Sequence, residues 1–132
     1  MDNEQLIELA KEARKSALPY ISGFKVGAAL LTRSGQVIFG CNIEDPSGIG
    51  VTNICAERCA MVKALSEGLD EFEKIAVVGG VDELISCTPC GACRQYLNTF
   101  CPEIIVVFID GNGTIRELAL SDMLPYSFSE KF

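Results

Sequence analysis

Residues 74–109 read KIAVVGGVDELISCTPCGACRQYLNTFCPEIIVVFI and indicate the fold class. The stretch opens on a short apolar run from Lys74 to Gly79 and closes on the most apolar run of the chain, Glu103 to Ile109. Runs of this length and composition are typical of buried strands. Between them a helix is predicted from about Pro89 to Thr99, because proline suits the first turn of a helix. The order strand, helix, strand predicts an α/β fold.

The rest of the chain adds elements on both sides of this stretch. Apolar residues at helical spacing predict a first helix that Pro19 stops, and Gly68 ends a second one. The predicted elements are a helix over 3–17, strands over 25–32 and 36–42 joined by a hairpin at 33–35, a helix over 54–67, a strand over 114–118 and a short helical segment over 121–124. We therefore expect a single domain over 1–132, a three-layer α/β/α arrangement with a central mixed sheet of about five strands.

Composition excludes several classes of function. Acidic residues outnumber basic ones by 18 to 11, giving a net charge of −7, which disfavours a nucleic acid polymer as partner. No apolar run approaches the roughly 20 residues of a membrane helix, so no membrane partner is expected. The acidic start Met1-Asp2-Asn3-Glu4 does not resemble a secretory signal, which predicts a cytoplasmic location. The chain has no histidine, so every histidine-based site is excluded.

Two cysteine motifs carry the chemistry. They are Cys55-Ala56-Glu57-Arg58 and Pro89-Cys90-Gly91-Ala92-Cys93-Arg94-Gln95, within a chain of seven cysteines. In a reducing compartment such an odd set favours metal binding or catalysis over disulfides. Cys90 and Cys93 are three apart and share one helix face. Three protein ligands leave a zinc ion one open position for water, which is the catalytic arrangement.

The position of Glu57 constrains where its helix begins. Residues two apart point in nearly opposite directions on a continuous helix, so Cys55 and Glu57 can face one target only if Cys55 lies at the very start. A helix beginning at about Ile54 meets this condition. Glu57 is then placed to move protons at the metal.

Three thiolates on Zn²⁺ give the site a net negative charge, which makes a bound water a poorer acid unless nearby positive groups offset that charge. Arg58 and Arg94 each adjoin a predicted ligand, and hydrogen bonds from their guanidinium groups to sulfur would withdraw charge from the thiolates. The partial positive charge of a helix N-terminus favours thiolate in the same way.

Other interpretations of these cysteines stay open from the residues alone. The three thiols could hold a structural zinc or simply be buried. Cys87, three residues before Cys90, could close a four-sulfur site that would be inert. Cys90 and Cys93 could form a redox dithiol, although this leaves Cys55 and Glu57 unexplained. The remaining cysteines sit in apolar contexts typical of core residues: Cys41, Cys59 and Cys101.

Taken together, the chain resembles the zinc-dependent cytidine deaminases, specifically the small type with three cysteine ligands that usually forms homotetramers. The likeness covers nearly the whole chain. It rests on Phe24-Lys25-Val26-Gly27-Ala28-Ala29-Leu30, Cys41-Asn42-Ile43-Glu44, both cysteine motifs and Leu124-Pro125.

The resemblance implies a role for each matching residue. The implied roles are zinc ligands at Cys55, Cys90 and Cys93; a proton shuttle at Glu57; hydrogen bonds to the ribose 3′-hydroxyl from Asn42 and Glu44; stacking on the pyrimidine by Phe24; a contact from the Ala56 N–H to the ring carbonyl and from the Thr88 carbonyl to departing ammonia; and insertion of Phe128 into a neighbouring subunit's site. From the residues alone, Phe24 is also typical of core packing, Asn42 and Glu44 of a solvated strand end, and Arg58 of a helix surface.

The implied activity is hydrolytic deamination of cytidine and 2′-deoxycytidine in pyrimidine salvage, with one zinc per subunit and a nucleoside and water as substrates. Alternatives are a zinc deaminase of a related cytosine compound, such as an N4-modified cytidine or a cytosine-containing antibiotic, and a non-catalytic zinc-binding module. One segment departs from the family pattern: residues 45–53 lack the tyrosine that many relatives carry there and are slightly longer. This glycine-rich loop could admit a bulkier amino substituent.

Overall fold

The computed structural model describes residues 1–129 of the chain. It contains four α-helices, one short 3₁₀ turn at Gly50–Thr52 and five strands among the described residues. In chain order these are α1 (Asn3–Arg14), β1 (Lys25–Thr32), β2 (Val37–Cys41), α2 (Ala56–Ser66), β3 (Phe72–Gly80), α3 (Gly91–Phe100), β4 (Ile105–Ile109), β5 (Ile115–Ala119) and α4 (Leu120–Met123).

The five strands form one mixed sheet in the order β2-β1-β3-β4-β5. Strand β1 lies antiparallel to both β2 and β3, whereas β3 and β4 run parallel and β5 is antiparallel to β4. Strands β2 and β3 therefore run in the same direction on either side of β1. Helix α2 follows β2 and helix α3 follows β3, so both helices begin beyond the carboxyl ends of strands that point the same way.

Apolar side chains fill both faces of the sheet and give three layers. In β1, Ala28 and Leu30 face α2 and α3, whereas Ala29 and Leu31 face α1. This alternation follows from the two-residue period of a strand. The α1 side is completed by Leu6, Ile7, Ala10, Ala76, Val78 and Val107. The predicted three-layer fold with about five strands is confirmed.

Helix α2 packs very closely on β2, and Gly40 permits it. A Cβ atom at Gly40 would collide with the Ala56 carbonyl oxygen and with the backbone nitrogen of Ala60. The missing side chain lets the first turn of α2 lie directly on the strand, which fixes where α2 begins. Replacing Gly40 would displace that turn and everything that it positions.

The element boundaries differ from prediction where the chain pairs with a distant segment. Helix α1 ends at Arg14 instead of residue 17, because the Leu18 N–H donates to the Asn42 carbonyl at 3.0 Å and Leu18 adopts bridge pairing with Ile43. Helix α3 begins at Gly91, so Pro89 precedes the helix instead of occupying its first turn. Among the described residues, no helix has the length and apolar character needed to cross a bilayer.

Candidate active site

The predicted metal ligands lie at the starts of α2 and α3. Cys55 is the N-cap of α2 with extended backbone angles (φ −77°, ψ 155°), and Cys90 is the N-cap of α3 (φ −67°, ψ 170°). Because Cys55 lies just before helical geometry begins, it and Glu57 can face the same point, as the sequence argument required. Cys93 follows in the first turn of α3 and is fully buried. Helix N-termini carry unpaired N–H groups and partial positive charge, which favours thiolate.

The three sulfurs are close enough to share one ion. The Sγ atoms of Cys55, Cys90 and Cys93 all lie within 4.8 Å of one another. Cys55 Sγ and Cys90 Sγ are 3.8 Å apart. Two sulfurs bound tetrahedrally to one zinc at about 2.3 Å each would lie about 3.8 Å apart, so the donor set fits zinc. Within residues 1–129, Cys87 is not part of this group, which argues against a closed four-sulfur site.

The thiols differ in how readily they ionise. A hydrogen bond from the Cys93 thiol, helped by others from Arg58 and Cys90, lowers the pKa of Cys55 to about 5 against the opposing effect of burial. The same hydrogen bond raises the pKa of Cys93, because its proton is held by the Cys55 sulfur. Without a cation Cys55 thus favours the thiolate, and its charge opposes ionisation of Cys93. A divalent cation would relieve this repulsion, which is the condition under which all three sulfurs become ligands.

Glu57 is a buried acid beside this cluster. Its side chain is only 4% exposed, yet it lines the same cavity as Cys55 and Cys90. Burial, with a smaller contribution from the charge of Cys55, outweighs the opposing hydrogen bonds and raises the pKa of Glu57 to about 7. A carboxyl group with a pKa near neutrality can both accept and donate a proton at pH 7.

The two arginines behave differently from one another. Arg58 Nη2 donates to Cys55 Sγ at 3.5 Å, as predicted, and thereby offsets thiolate charge. Arg94 was predicted to do the same, but its guanidinium donates elsewhere: to the Pro89 carbonyl at 2.7 Å, the Met123 carbonyl at 2.8 Å and Thr88 Oγ1 at 3.1 Å. Arg94 lies one residue past Cys93 on α3, about 100° further round the helix, and so points away from the buried sulfur. It fixes the segment before Cys90 instead.

A cavity of about 300 Å³ opens beside the sulfurs and brings together most of the residues assigned to substrate. It is lined by Ser22, Phe24, Val26, Asn42, Glu44, Asn53, Ile54, Cys55, Ala56, Glu57, Cys87, Thr88 and Cys90. Ala56 is the first residue of α2, so its N–H has no acceptor inside the helix. The cavity therefore offers an aromatic ring, an acid, a backbone N–H without an acceptor in its helix, and two polar side chains around the metal site.

Asn42 and Glu44 are held by hydrogen bonds to the start of β1 and to the loop before it. Asn42 Oδ1 accepts from the Val26 N–H and Asn42 Nδ2 donates to the Phe24 carbonyl, both at 2.8 Å. The Glu44 carboxylate accepts from the Ile21 N–H, the Ser22 N–H and Ser22 Oγ at 2.7–2.9 Å. Burial opposes ionisation of Glu44, but the hydrogen bonds from Ser22 and Ile21 outweigh it and lower its pKa. Both side chains can still form hydrogen bonds to a ligand: Asn42 has one amide proton left to donate, and the Glu44 carboxylate has further lone pairs that can accept.

Sequence reasoning did not identify Ser22. Its hydroxyl donates to Glu44 Oε2 and accepts from the Phe24 N–H at 3.0 Å, so it links the two residues assigned to sugar and base. A serine before a glycine is an ordinary turn residue, and nothing in the sequence marks its partner 22 positions later. Asn53 was likewise missed as a cavity residue; its Oδ1 accepts from the Asp45 N–H and braces the 45–53 loop.

Phe128 lies away from this chain's own cavity. Its carbonyl accepts from Gln95 Nε2 at 2.9 Å and from Asn98 Nδ2 at 3.3 Å, which fixes the tail along α3. The Phe128 side chain is 60% exposed. Its assignment to a neighbouring subunit's site stays a prediction.

Comparison with known proteins agrees with this geometry. Residues 1–109 match the family model described as the cytidine and deoxycytidylate deaminase zinc-binding region. The chain belongs to this family. It is 46% identical to a cytidine deaminase from Halalkalibacterium halodurans over 98% of this chain and 96% of that one, and 43% identical to one from Sporosarcina psychrophila over 99% and 94%.

A solved structure of a family member extends the likeness to the fold. The cytidine deaminase from Burkholderia pseudomallei superposes with a TM-score of 0.87 at 42% identity, covering 97% of this chain and all of that one. The deaminase family is zinc-binding, and the sulfur geometry described above fits that metal. The predicted zinc cofactor is confirmed.

Proposed function

We propose that this protein catalyses the zinc-dependent hydrolysis of cytidine and 2′-deoxycytidine to the corresponding uridines and ammonia. The observation that carries the proposal is that a cavity lined by the buried Glu57 and the polar pair Asn42 and Glu44 opens beside a cluster of three metal-binding sulfurs. Asn42 and Glu44 are assigned to the 3′-hydroxyl, which ribose and 2′-deoxyribose share. Both nucleosides are therefore expected substrates of one domain spanning residues 1–132.

The chain's own residues supply binding and proton transfer. The Phe24 ring offers a flat apolar surface to the base, and the Ala56 N–H is an available donor for the ring carbonyl. Cys55, Cys90 and Cys93 would hold the zinc ion, which when bound would supply an activated water as nucleophile. Glu57 would take a proton from that water and deliver it to N3 of the base. It would then take a second proton, from the hydroxyl now bonded to C4, and deliver it to the departing amino group, whose hydrogens would meet the Thr88 carbonyl.

The direct test is the ultraviolet absorbance change as cytidine becomes uridine, measured with purified protein before and after chelation. We expect turnover that the chelator abolishes and added Zn²⁺ restores. Protein that holds one zinc per chain but turns over neither cytidine nor 2′-deoxycytidine would contradict the proposal and favour the non-catalytic zinc module.

Glu44→Gln tests the assignment of the sugar. The amide keeps the shape of the side chain but loses the charge and presents an NH₂ group where Ser22 now donates. Losing a hydrogen bond to a charged group weakens binding by roughly 10- to 100-fold, so KM for cytidine should rise by about that factor, with kcat changed much less. Glu73→Gln, on the exposed surface of β3, is the matched control and should leave KM unchanged. An unaltered KM in Glu44→Gln would contradict the sugar assignment.

We infer further that the chain acts as a homotetramer in which Phe128 completes a neighbouring site. Large apolar side chains of the two loops that supply Ser22 and Asn53 to the cavity are exposed, as expected of a surface that a second copy covers: Tyr20, Ile21, Ile49 and Val51. The glycine-rich 45–53 loop carries two of them and is braced internally by Asp45, whose carboxylate accepts from the Ser47 N–H and Thr52 Oγ1.

Mixing two impaired variants tests this arrangement. Glu57→Gln lacks the acid and Phe128→Ala lacks the ring, so neither homotetramer should be fully active. If Phe128 acts across a subunit boundary, hybrid tetramers formed by mixing will contain sites with both groups, and activity should exceed the mean of the separate variants. Activity equal to that mean after verified subunit exchange would place Phe128 outside the partner's site, and a monomer by light scattering would contradict the tetramer.

We also propose that the protein works in the cytoplasm in pyrimidine salvage. All seven cysteines are unpaired thiols, which is typical of proteins in a reducing compartment. The proposed reaction converts one nucleoside into another with the glycosidic bond intact, which is the type of step that reuses preformed nucleosides.

A further inference from the structure

Two residues that line the cavity, Phe24 and Cys87, both pack against Gly79. Gly79 is a buried residue of β3. A Cβ atom at Gly79 would lie 2.7 Å from Phe24 Cε1 and 2.8 Å from Cys87 Sγ. Cβ atoms essentially never approach other heavy atoms this closely. The ring and the sulfur therefore occupy the space that any side chain at position 79 would need.

Backbone contacts of Gly79 anchor the segments that carry these two side chains. Gly79 pairs with Val26 of β1, two residues after Phe24. Its carbonyl accepts from the Ile85 N–H at 2.9 Å, two residues before Cys87. Gly79 thus anchors both the segment that carries Phe24 and the segment that carries Cys87, and a change at Gly79 would act on both side chains together.

The Phe24 ring and the Cys87 sulfur also lie close to each other. The two distances from the hypothetical Cβ place Phe24 Cε1 and Cys87 Sγ at most 5.5 Å apart, within the range where sulfur and aromatic rings attract. Burial, and secondarily the charge of Glu57, raises the pKa of Cys87 to about 11, so Cys87 is an uncharged thiol at neutral pH. It offers the ring an apolar neighbour.

We propose that Gly79 and Cys87 are positioning residues that hold the Phe24 ring where the pyrimidine base stacks on it. This inference rests on the proposed function, in which Phe24 contacts the base. Aromatic contacts depend on ring separation and tilt, so a ring displaced by a methyl group at position 79 would meet the base poorly. Neither residue touches the reacting atoms; both act through Phe24.

Gly79→Ala is the direct test, with Cys87→Ala as a second variant. The added methyl must displace the ring or the sulfur, and the loss of a well-placed aromatic contact should raise KM for cytidine by about tenfold while kcat changes less than about threefold. In the Gly79→Ala/Cys87→Ala double variant, removal of the sulfur leaves space into which the methyl can shift away from the Phe24 ring. We expect its KM to fall back to within about threefold of that of Cys87→Ala.

Two further measurements separate positioning from general damage. Gly111→Ala is the matched control, since a Cβ there meets nothing within 4 Å, and it should leave KM unchanged. Zinc content should stay at one per chain in every variant, and thermal unfolding identifies any variant that is globally destabilised. Because Cys87→Ala lies outside the sulfur group, loss of zinc in it would overturn the assignment of Cys87 as a residue that positions Phe24.

Uridine affinity, measured by calorimetry, distinguishes failure of this inference from failure of the proposed function. Weaker uridine binding in Gly79→Ala, with recovery in the double variant, supports the inference whether or not turnover is measured. Unchanged binding and KM in Gly79→Ala, or a double variant no better than Gly79→Ala, would overturn it. Wild-type protein that neither binds uridine nor deaminates cytidine would overturn the proposed function and, with it, the base assigned to Phe24.

Discussion

Glu57→Gln should lower kcat for cytidine by on the order of 10⁴-fold while the protein keeps its zinc. Glutamine has nearly the same shape, but it cannot pass the proton of the attacking water to N3 or carry a second proton to the leaving amino group. Because the same carboxyl serves in successive transfers, the loss belongs at the upper end of the range for one general acid–base group. Stopped assays with high enzyme concentration and metal analysis of the same samples would measure both quantities.

The buried position of Glu57 gives this variant a second signature. In the metal-free wild type, burial raises the pKa of Glu57 from 4.5 to about 7, so the native state holds a proton that the unfolded chain releases. The free energy of unfolding should therefore fall as pH rises from about 4.5 to 7, and Glu57→Gln should lack this part of the slope. Full activity in Glu57→Gln, or loss of its zinc, would contradict the proton-shuttle role.

Sequence reasoning worked best where the chemistry depends on local spacing. The placement of Cys55 at a helix start followed from the need for it and Glu57 to face one point, and Cys55 is indeed an N-cap. The spacing of Cys90 and Cys93 predicted a shared helix face, and both sulfurs belong to the described cluster. The apolar runs in β3 and β4 identified their strands for the same reason, since periodicity is a local property.

Sequence reasoning failed where a role depends on contacts between segments that are far apart in the chain. Arg94 adjoins a ligand in sequence, yet the carbonyls it binds belong to Pro89 and Met123, and the second of these lies 29 residues away. The support that Ser22 gives Glu44, and the packing of Phe24 on Gly79, depend on the register of distant segments. A one-residue change of register would reverse which side chains face the cavity. Spacing within one motif carries no information about that register.

Cys90→Ala should abolish zinc binding and with it activity, a loss at least as large as that of Glu57→Gln. Two remaining thiols offer a far weaker site, since zinc sites use three or four protein ligands. Cys90 is exposed at the N-cap of α3, so alanine there leaves no internal cavity. The metal-free variant should unfold at nearly the temperature of the metal-free wild type, whereas the stabilisation that the wild type gains from added Zn²⁺ should disappear.

The matched control is Cys101→Ala, at the opposite end of α3. It removes a buried thiol from the core and should lower stability by about 1 kcal/mol, yet it should keep one zinc per chain and full kcat. Metal analysis and thermal unfolding with and without Zn²⁺ distinguish the two variants. If Cys90→Ala retained zinc and turnover, a different sulfur would have to complete the site. Cys87 would then be the first candidate, and its assignment as a residue that positions Phe24 would have to be revised.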